Sequence, residues 1–116
     1  MKIGIVGSRK RTDKENIIKL VDGLNPDDIV VSGGCVGVDS WAEERAKQRG
    51  LKVIIFKPDL TNIKNKGDMV NRYYARNKKI AEASDIVYAF VSDDRKGGTE
   101  NTIKWAEGLG KEIKVM

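Results

Sequence analysis

The sequence predicts an α/β protein with a five-stranded parallel sheet and helices on both faces. Three observations carry this. Short apolar runs alternate with longer amphipathic segments along the 116 residues, in the order β-α-β-α-β-α-β-α-β. The run LKVIIF, residues 51–56, is continuous rather than alternating, as a strand buried on both faces in a parallel sheet would be. Glycine-rich loops follow the first, second and fourth strands, so all three fall on one edge of a parallel sheet. Right-handed crossovers then favour a Rossmann-like three-layer α/β/α arrangement with strand order 3-2-1-4-5. Ligands of such sheets bind beyond the carboxyl ends of the strands, where the order reverses between strands one and four.

Each element has its own signal. Residues 2–6, KIGIV, form the first strand and end at Gly7. Thr12 and Glu15 have the spacing of a capping box, which opens a helix with Ile17, Ile18, Val21 and Leu24 on one face. Asn25-Pro26 ends it, because the residue before proline is pushed out of helical geometry. Residues 29–31 are strand two, and Ser32-Gly33-Gly34 turns the chain into a helix over 36–48. That helix carries Val38, Trp41, Ala42 and Ala46 inward and closes at Gly50. Strand three is followed by the longest loop, 57–67. A helix is expected over 68–84, interrupted near Ala75. Residues 85–91 form strand four, 92–98 a second glycine loop, 99–109 the last helix and 112–115 a short fifth strand. No repeat, low-complexity run or linker divides the chain, so residues 1–116 read as a single domain.

Composition narrows the chemistry. Charged residues make up 34% and apolar residues 40%, a globular balance. No apolar run approaches the roughly 20 residues that span a bilayer, so no membrane partner is expected. The apolar start is too short for a signal sequence and is followed by Arg9, Lys10 and Arg11. The single cysteine, Cys35, excludes an internal disulfide and points to a reducing cytoplasm. With no histidine, Ser-His-Asp and Cys-His nucleophiles are excluded, and acid–base work falls to carboxylates, Lys, Tyr or Cys35. The net charge of +5 is concentrated in two clusters, one at Arg9, Lys10, Arg11 and Lys14, the other running from Lys64 to Lys79. It favours an anionic partner, a nucleotide or a nucleic acid, where it does more than confer solubility.

The candidate ligand-binding residues lie on the glycine edge. A strand, a glycine turn and a helix start together expose free N–H groups, and the helix dipole favours negative charge there. Gly7, Ser8 and Arg9 form the first loop; Ser32, Gly33, Gly34 and Gly37 the second; Gly97, Gly98 and Thr99 the third. Ser8 and Arg9 suit a phosphate or a base edge, or a solvated loop. Ser32 and Thr99 offer hydroxyls to phosphate or to a turn. Asp39 and Glu100, in first helical turns, complement the dipole or contact ligand. Glu100 also reads as a ribose acceptor or an acid–base. Cys35 reads as inert sooner than nucleophilic, and Asp93-Asp94 as solvated sooner than as a Mg²⁺ site.

On these residues the chain resembles the SLOG superfamily of nucleotide-binding proteins, which includes the DprA/Smf proteins and the LOG phosphoribohydrolases. GSR at Gly7 to Arg9 and SGGCVGVDSWA at Ser32 to Ala42 are similar to DprA-like GSR and SGGARGID segments. RNKKIAEASD, Arg76 to Asp85, resembles both the R-K-x-x-M-x-x-x-S-D stretch of LOG enzymes and the R-N-R segment of DprA, and GGTENT, Gly97 to Thr102, is similar to the second glycine motif. In length the chain is similar to small single-domain, YspA-like members. The resemblance implies a nucleotide or nucleotide-derived ligand, ADP-ribose-like, NAD-related or cyclic. Gly33, Gly34, Gly97, Gly98 and Thr99 would cradle phosphate, with Arg76 and Asn77 beside it. It requires no cofactor and no metal, and leaves Mg²⁺ open. LOG enzymes carry P-G-G-x-G-T-x-x-E, whose glutamate position falls on Thr102. Glu100 lies two residues earlier, about 200° around a helix. An N-glycosidase reading would therefore make Arg76 and Glu100 catalytic from a different angle. A third reading, DprA-like binding of single-stranded nucleic acid, would use the basic clusters and offers only Tyr73 and Tyr74 for stacking. Trp105, with Thr102 and Leu109, marks a stripe for a homodimer or a wide core face.

Overall fold

The computed structural model describes all of residues 1–116. Its elements follow the expected order: β1 (Lys2–Gly7), α1 (Lys14–Asp22), β2 (Ile29–Ser32), α2 (Val38–Gln48), β3 (Lys52–Ile55), α3 (Lys66–Ala83), β4 (Ile86–Phe90), α4 (Gly98–Gly108) and β5 (Glu112–Val115). All strand pairs are parallel, and the order is β3-β2-β1-β4-β5. No helix is long and apolar enough to cross a membrane.

Alternation along the central strands builds two cores. Ile3 and Ile5 of β1 and Ile86 and Phe90 of β4 point to one face, where they meet Ile17 and Val21 of α1 and Val38, Ala42 and Ala46 of α2. Val6, Val87 and Ala89 point to the other, against Ile80 and Ala81 of α3 and Ile103 and Ala106 of α4. Trp105 packs at the margin of this second core with the Lys78 ammonium 5.1 Å from its ring centroid, and Thr102 is buried. Of the stripe read as a dimer patch, only Leu109 stands exposed.

Several local expectations are corrected. The capping box at Thr12 and Glu15 does not form. Asp13 takes the N-cap position without capping, because its carboxylate is held by Arg11 at 2.6 and 2.8 Å and by Asn16 at 2.8 Å. Helix α2 starts at Val38 and not Val36, since Gly37 sits at φ 90°, ψ −125°, outside helical geometry. Strand β3 lies at the sheet edge, so Val53, Ile54 and Ile55 are only half-buried. Helix α3 runs unbroken through Ala75. Asn65, at its N-cap, accepts from the Asp68 N–H at 2.9 Å, and the backbone stays helical while Arg76 and Asn77 turn their side chains inward.

Gly4 sits where β1 passes the end of α3. A Cβ there would collide with Ser84 Oγ, lie 3.1 Å from Ser84 Cβ and 3.3 Å from Val87. Ser84 cannot give way, because its hydroxyl is buried and donates to the Ile80 carbonyl at 2.7 Å. Gly4→Ala is expected to lower unfolding stability by about 1–3 kcal/mol in urea melts, with an unchanged m-value. A neutral Gly4→Ala would show that α3 packs less closely on β1 than described.

Candidate functional site

The carboxyl ends of β1, β2 and β4 open into a cleft of about 650 Å³. Its lining includes Gly7, Ser8, Arg9, Asp39, Arg76, Asn77, Gly97, Gly98 and Thr99. Ser32, Gly33, Gly34, Gly37 and Glu100 lie outside the lining. A smaller, wholly polar hollow of about 400 Å³ adjoins it on the α1 side, and the ion pair of Lys10 with Asp94 borders both.

Gly7 is needed for packing as well as for the cleft. A Cβ on it would fall 2.5–2.8 Å from the Val38 side chain, so glycine lets α2 start against the end of β1. Ser8 donates its N–H to the Phe90 carbonyl at 2.9 Å, extending the β1–β4 ladder, and its hydroxyl accepts from the Lys10 N–H at 3.1 Å. Arg9 is left exposed at the mouth.

The β2–α2 turn is filled from within. Asp39 is 5% exposed, and its carboxylate accepts from the Gly33 N–H at 3.1 Å and the Cys35 N–H at 3.3 Å. These are N–H groups that a bound phosphate would use. Arg76, also buried, crosses from α3 and donates to the Gly33 carbonyl at 2.6 Å and to Cys35 Sγ at 3.5 Å. A side chain at Gly33 would meet both partners, with Arg76 Nη1 at 2.8 Å and Asp39 Oδ2 at 2.9 Å. Burial pushes the Asp39 carboxyl up to about 6, against the pull of the backbone N–H groups and Arg76. Glu43, on the same helix, is raised by burial and by Asp39. Ser32 Oγ is fully buried and has no hydrogen-bond partner. Gly34, at φ +70°, turns toward Ile55 and Lys57.

The β4–α4 loop is open. Helix α4 has Gly97 as N-cap, at φ 109°, ψ −171°, with no side chain capping it. The N–H groups of Gly98 and Thr99 donate to no protein acceptor. Lys96 lies two residues before Gly98, and Arg9 and Lys10 line the same cleft. Asn77 secures this loop from α3: its amide donates to the Gly98 carbonyl at 3.3 Å and to Asn101 at 3.2 Å, and its oxygen accepts from Arg76 Nε at 3.0 Å. Adjacent residues of α3 thus hold both glycine loops.

Glu100 is turned away from the cleft. Arg95, in the left-handed region at φ 53°, donates to both its carboxylate oxygens at 2.9 Å. Thr102, at the position aligned with the LOG glutamate, lines the cleft and is 1% exposed. Of the Asp93-Asp94 pair, Asp94 is taken by Lys10 and by the Ser92 hydroxyl, which hold its carboxyl down at about 2. Val6, Lys10, Val70, Ile80 and Lys96 also line the cleft and carry no ligand-contact signal in the sequence analysis. Val70, Tyr73, Tyr74 and Asn77 follow i, i+3, i+4, i+7 spacing, which could have marked one face of α3.

No protein-family model and no curated protein matches the sequence. Among solved structures the chain is similar to DNA processing protein A (DprA) from Streptococcus pneumoniae, with 22% identity and a TM-score of 0.79. The match covers 98% of this chain and 49% of that one, so the chain spans about half the length of DprA. It is also similar to the C-terminal domain of a Pyrococcus furiosus hydrogenase, with 17% identity and a TM-score of 0.51 over 98% of this chain and 89% of that one. Both likenesses are of fold.

The Asp39 carboxyl gives a signed pH dependence. Its folded value of about 6 exceeds the ordinary 3.8, so the folded chain holds this proton more tightly than the unfolded one. The stability tied to it is complete below about pH 4 and is lost as pH rises through about 6, on the order of 3 kcal/mol. Asp39→Asn is expected to remove most of the slope between pH 4 and 7 in urea melts, with Glu43 keeping a remainder. An unchanged slope would place the titration elsewhere.

Proposed function

We propose that this chain is a SLOG-type module that binds a nucleotide or nucleotide-derived ligand in the cleft, with a phosphate seated on the start of α4. The observation that carries the reading is the uncapped α4 N-terminus, whose Gly98 and Thr99 N–H groups open into a cleft edged by Lys96, Lys10 and Arg9. Free N–H groups, the positive end of a helix and the unpaired Arg9 and Lys96 favour the same ligand group, a phosphate, while Lys10 is held by Asp94. Arg76 acts from behind: it holds the β2–α2 turn with its guanidinium already committed. The cleft volume lies within the range of small-ligand sites.

Binding without turnover is favoured over an N-glycosidase. Glu100 is committed to Arg95 and stands outside the cleft lining, and Thr102 has no acid–base chemistry near neutral pH. A second reading, DprA-like binding of single-stranded nucleic acid, draws support from the fold likeness and from the basic, open mouth. It uses the same phosphate seat but predicts affinity that falls steeply with salt.

A thermal-shift panel of AMP, ADP-ribose, NAD, a cyclic dinucleotide and a short single-stranded DNA tests the reading. A ligand at 100 times its Kd adds about 2.7 kcal/mol, several degrees for a domain this size. One small nucleotide is expected to raise the melting temperature, and Lys96→Glu to abolish the shift without lowering the melting temperature of the free protein. Glu100→Gln is expected to leave the shift intact. A shift with DNA alone would favour the second reading, and no shift with any ligand would overturn both.

A further inference from the structure

Helix α3 is longer than its packing requires. Its buried residues, Arg76, Asn77, Ile80 and Ala81, all lie in the C-terminal half, yet the helix begins at Lys66. The N-terminal half stands along the cleft and carries Val70, Tyr73 and Tyr74 on its wall. Val70 is 37% and Tyr74 43% exposed, an apolar surface left in water in a cleft that also carries Arg9, Lys96 and the Lys10–Asp94 ion pair. The spacing continues through Asn77, the residue that holds the Gly98 carbonyl, so the apolar stripe leads directly to the start of α4. Tyr73 is fixed from behind, with the Arg76 guanidinium 5.4 Å from its ring centroid. Arg9 and Lys96 line the same cleft, as does Lys10 in its ion pair with Asp94.

We infer that Val70, Tyr73 and Tyr74 form the wall on which a nucleobase stacks while its phosphate occupies the start of α4. The inference rests on the phosphate seat proposed above. The two surfaces ask different things of a ligand: the α4 start asks for an anion, and the stripe asks for a flat, apolar face at the other end of the same molecule. A sugar phosphate satisfies the first and leaves the tyrosines wet. A nucleotide satisfies both, and stacking tolerates any base because every base has a π face. Charge complementarity favours this occupant over a second copy of the chain, since a copy would bring the same unpaired Arg9 and Lys96 against those of this mouth.

The test is calorimetric titration of AMP and of ribose 5-phosphate into the wild type, Tyr74→Ala and Tyr74→Phe. AMP is expected to bind about tenfold or more tighter than ribose 5-phosphate. Tyr74→Ala should weaken AMP about tenfold and leave ribose 5-phosphate unchanged, and Tyr74→Phe should keep the wild-type preference. Equal binding of the two ligands, or equal weakening of both by Tyr74→Ala, would overturn the wall and leave the phosphate seat standing. Failure of both ligands to bind the wild type would overturn the seat, and the wall with it. A change of oligomeric state in Tyr74→Ala with AMP affinity unchanged would assign the stripe to contact between copies and overturn the inference.

Discussion

One junction governs the carboxyl edge of this sheet: Asp39 and Arg76 meet in the space that a side chain at Gly33 would fill. Both are charged and both are buried, which is costly unless their polar atoms are satisfied. The turn supplies the partners, two N–H groups to the carboxylate and a carbonyl to the guanidinium. Because Arg76 must reach this turn, α3 has to cross the edge at one height and one rotation. That rotation sends Asn77 to the β4–α4 loop and Ile80 into the second core.

The consequence is that two similar glycine turns have different roles. The β2–α2 turn carries its own anion. An incoming phosphate would displace the Asp39 carboxylate or face its charge in the first turn of α2. The β4–α4 turn has no such internal occupant, because the acidic residue in the first turn of α4, Glu100, is held outside by Arg95. The left-handed backbone of Arg95 is part of that arrangement. A side chain in the left-handed region is disfavoured unless its surroundings hold it there, and two charge-assisted hydrogen bonds do so here.

Most of the architecture was legible in the sequence, because strand burial and glycine placement report directly on a parallel sheet. The order of elements, the strand order and the shared edge of three loops all follow from local patterns such as KIGIV, DIVYAFV and the glycine pairs. What was not legible depends on partners distant in sequence. Arg11 and Asp13 are close enough to read as a pair, but a T-x-x-E spacing reads as a capping box until the guanidinium is seen to claim the carboxylate. LKVIIF reads as buried on both faces, but in the order 3-2-1-4-5 strand three is an edge strand, and topology rather than composition leaves it half-buried. Asp39 reads as a dipole complement, since nothing local says that its carboxylate folds back six residues to Gly33. Arg76 reads as a ligand contact and does line the cleft, but nothing local says that its guanidinium also reaches the Gly33 carbonyl, 43 residues away in sequence.

The proposed phosphate seat at the start of α4 stands beside a β2–α2 turn whose N–H groups Asp39 already occupies. An amide-resolved NMR titration of the ¹⁵N-labelled chain with AMP addresses it most directly. Large, saturable shifts are expected at Gly98 and Thr99, with little change at Gly33 and Cys35, whose N–H groups stay on Asp39. Shifts concentrated at Gly33 and Cys35, with Gly98 and Thr99 unmoved, would mean that the ligand displaces Asp39 and that the roles assigned to the two turns are reversed.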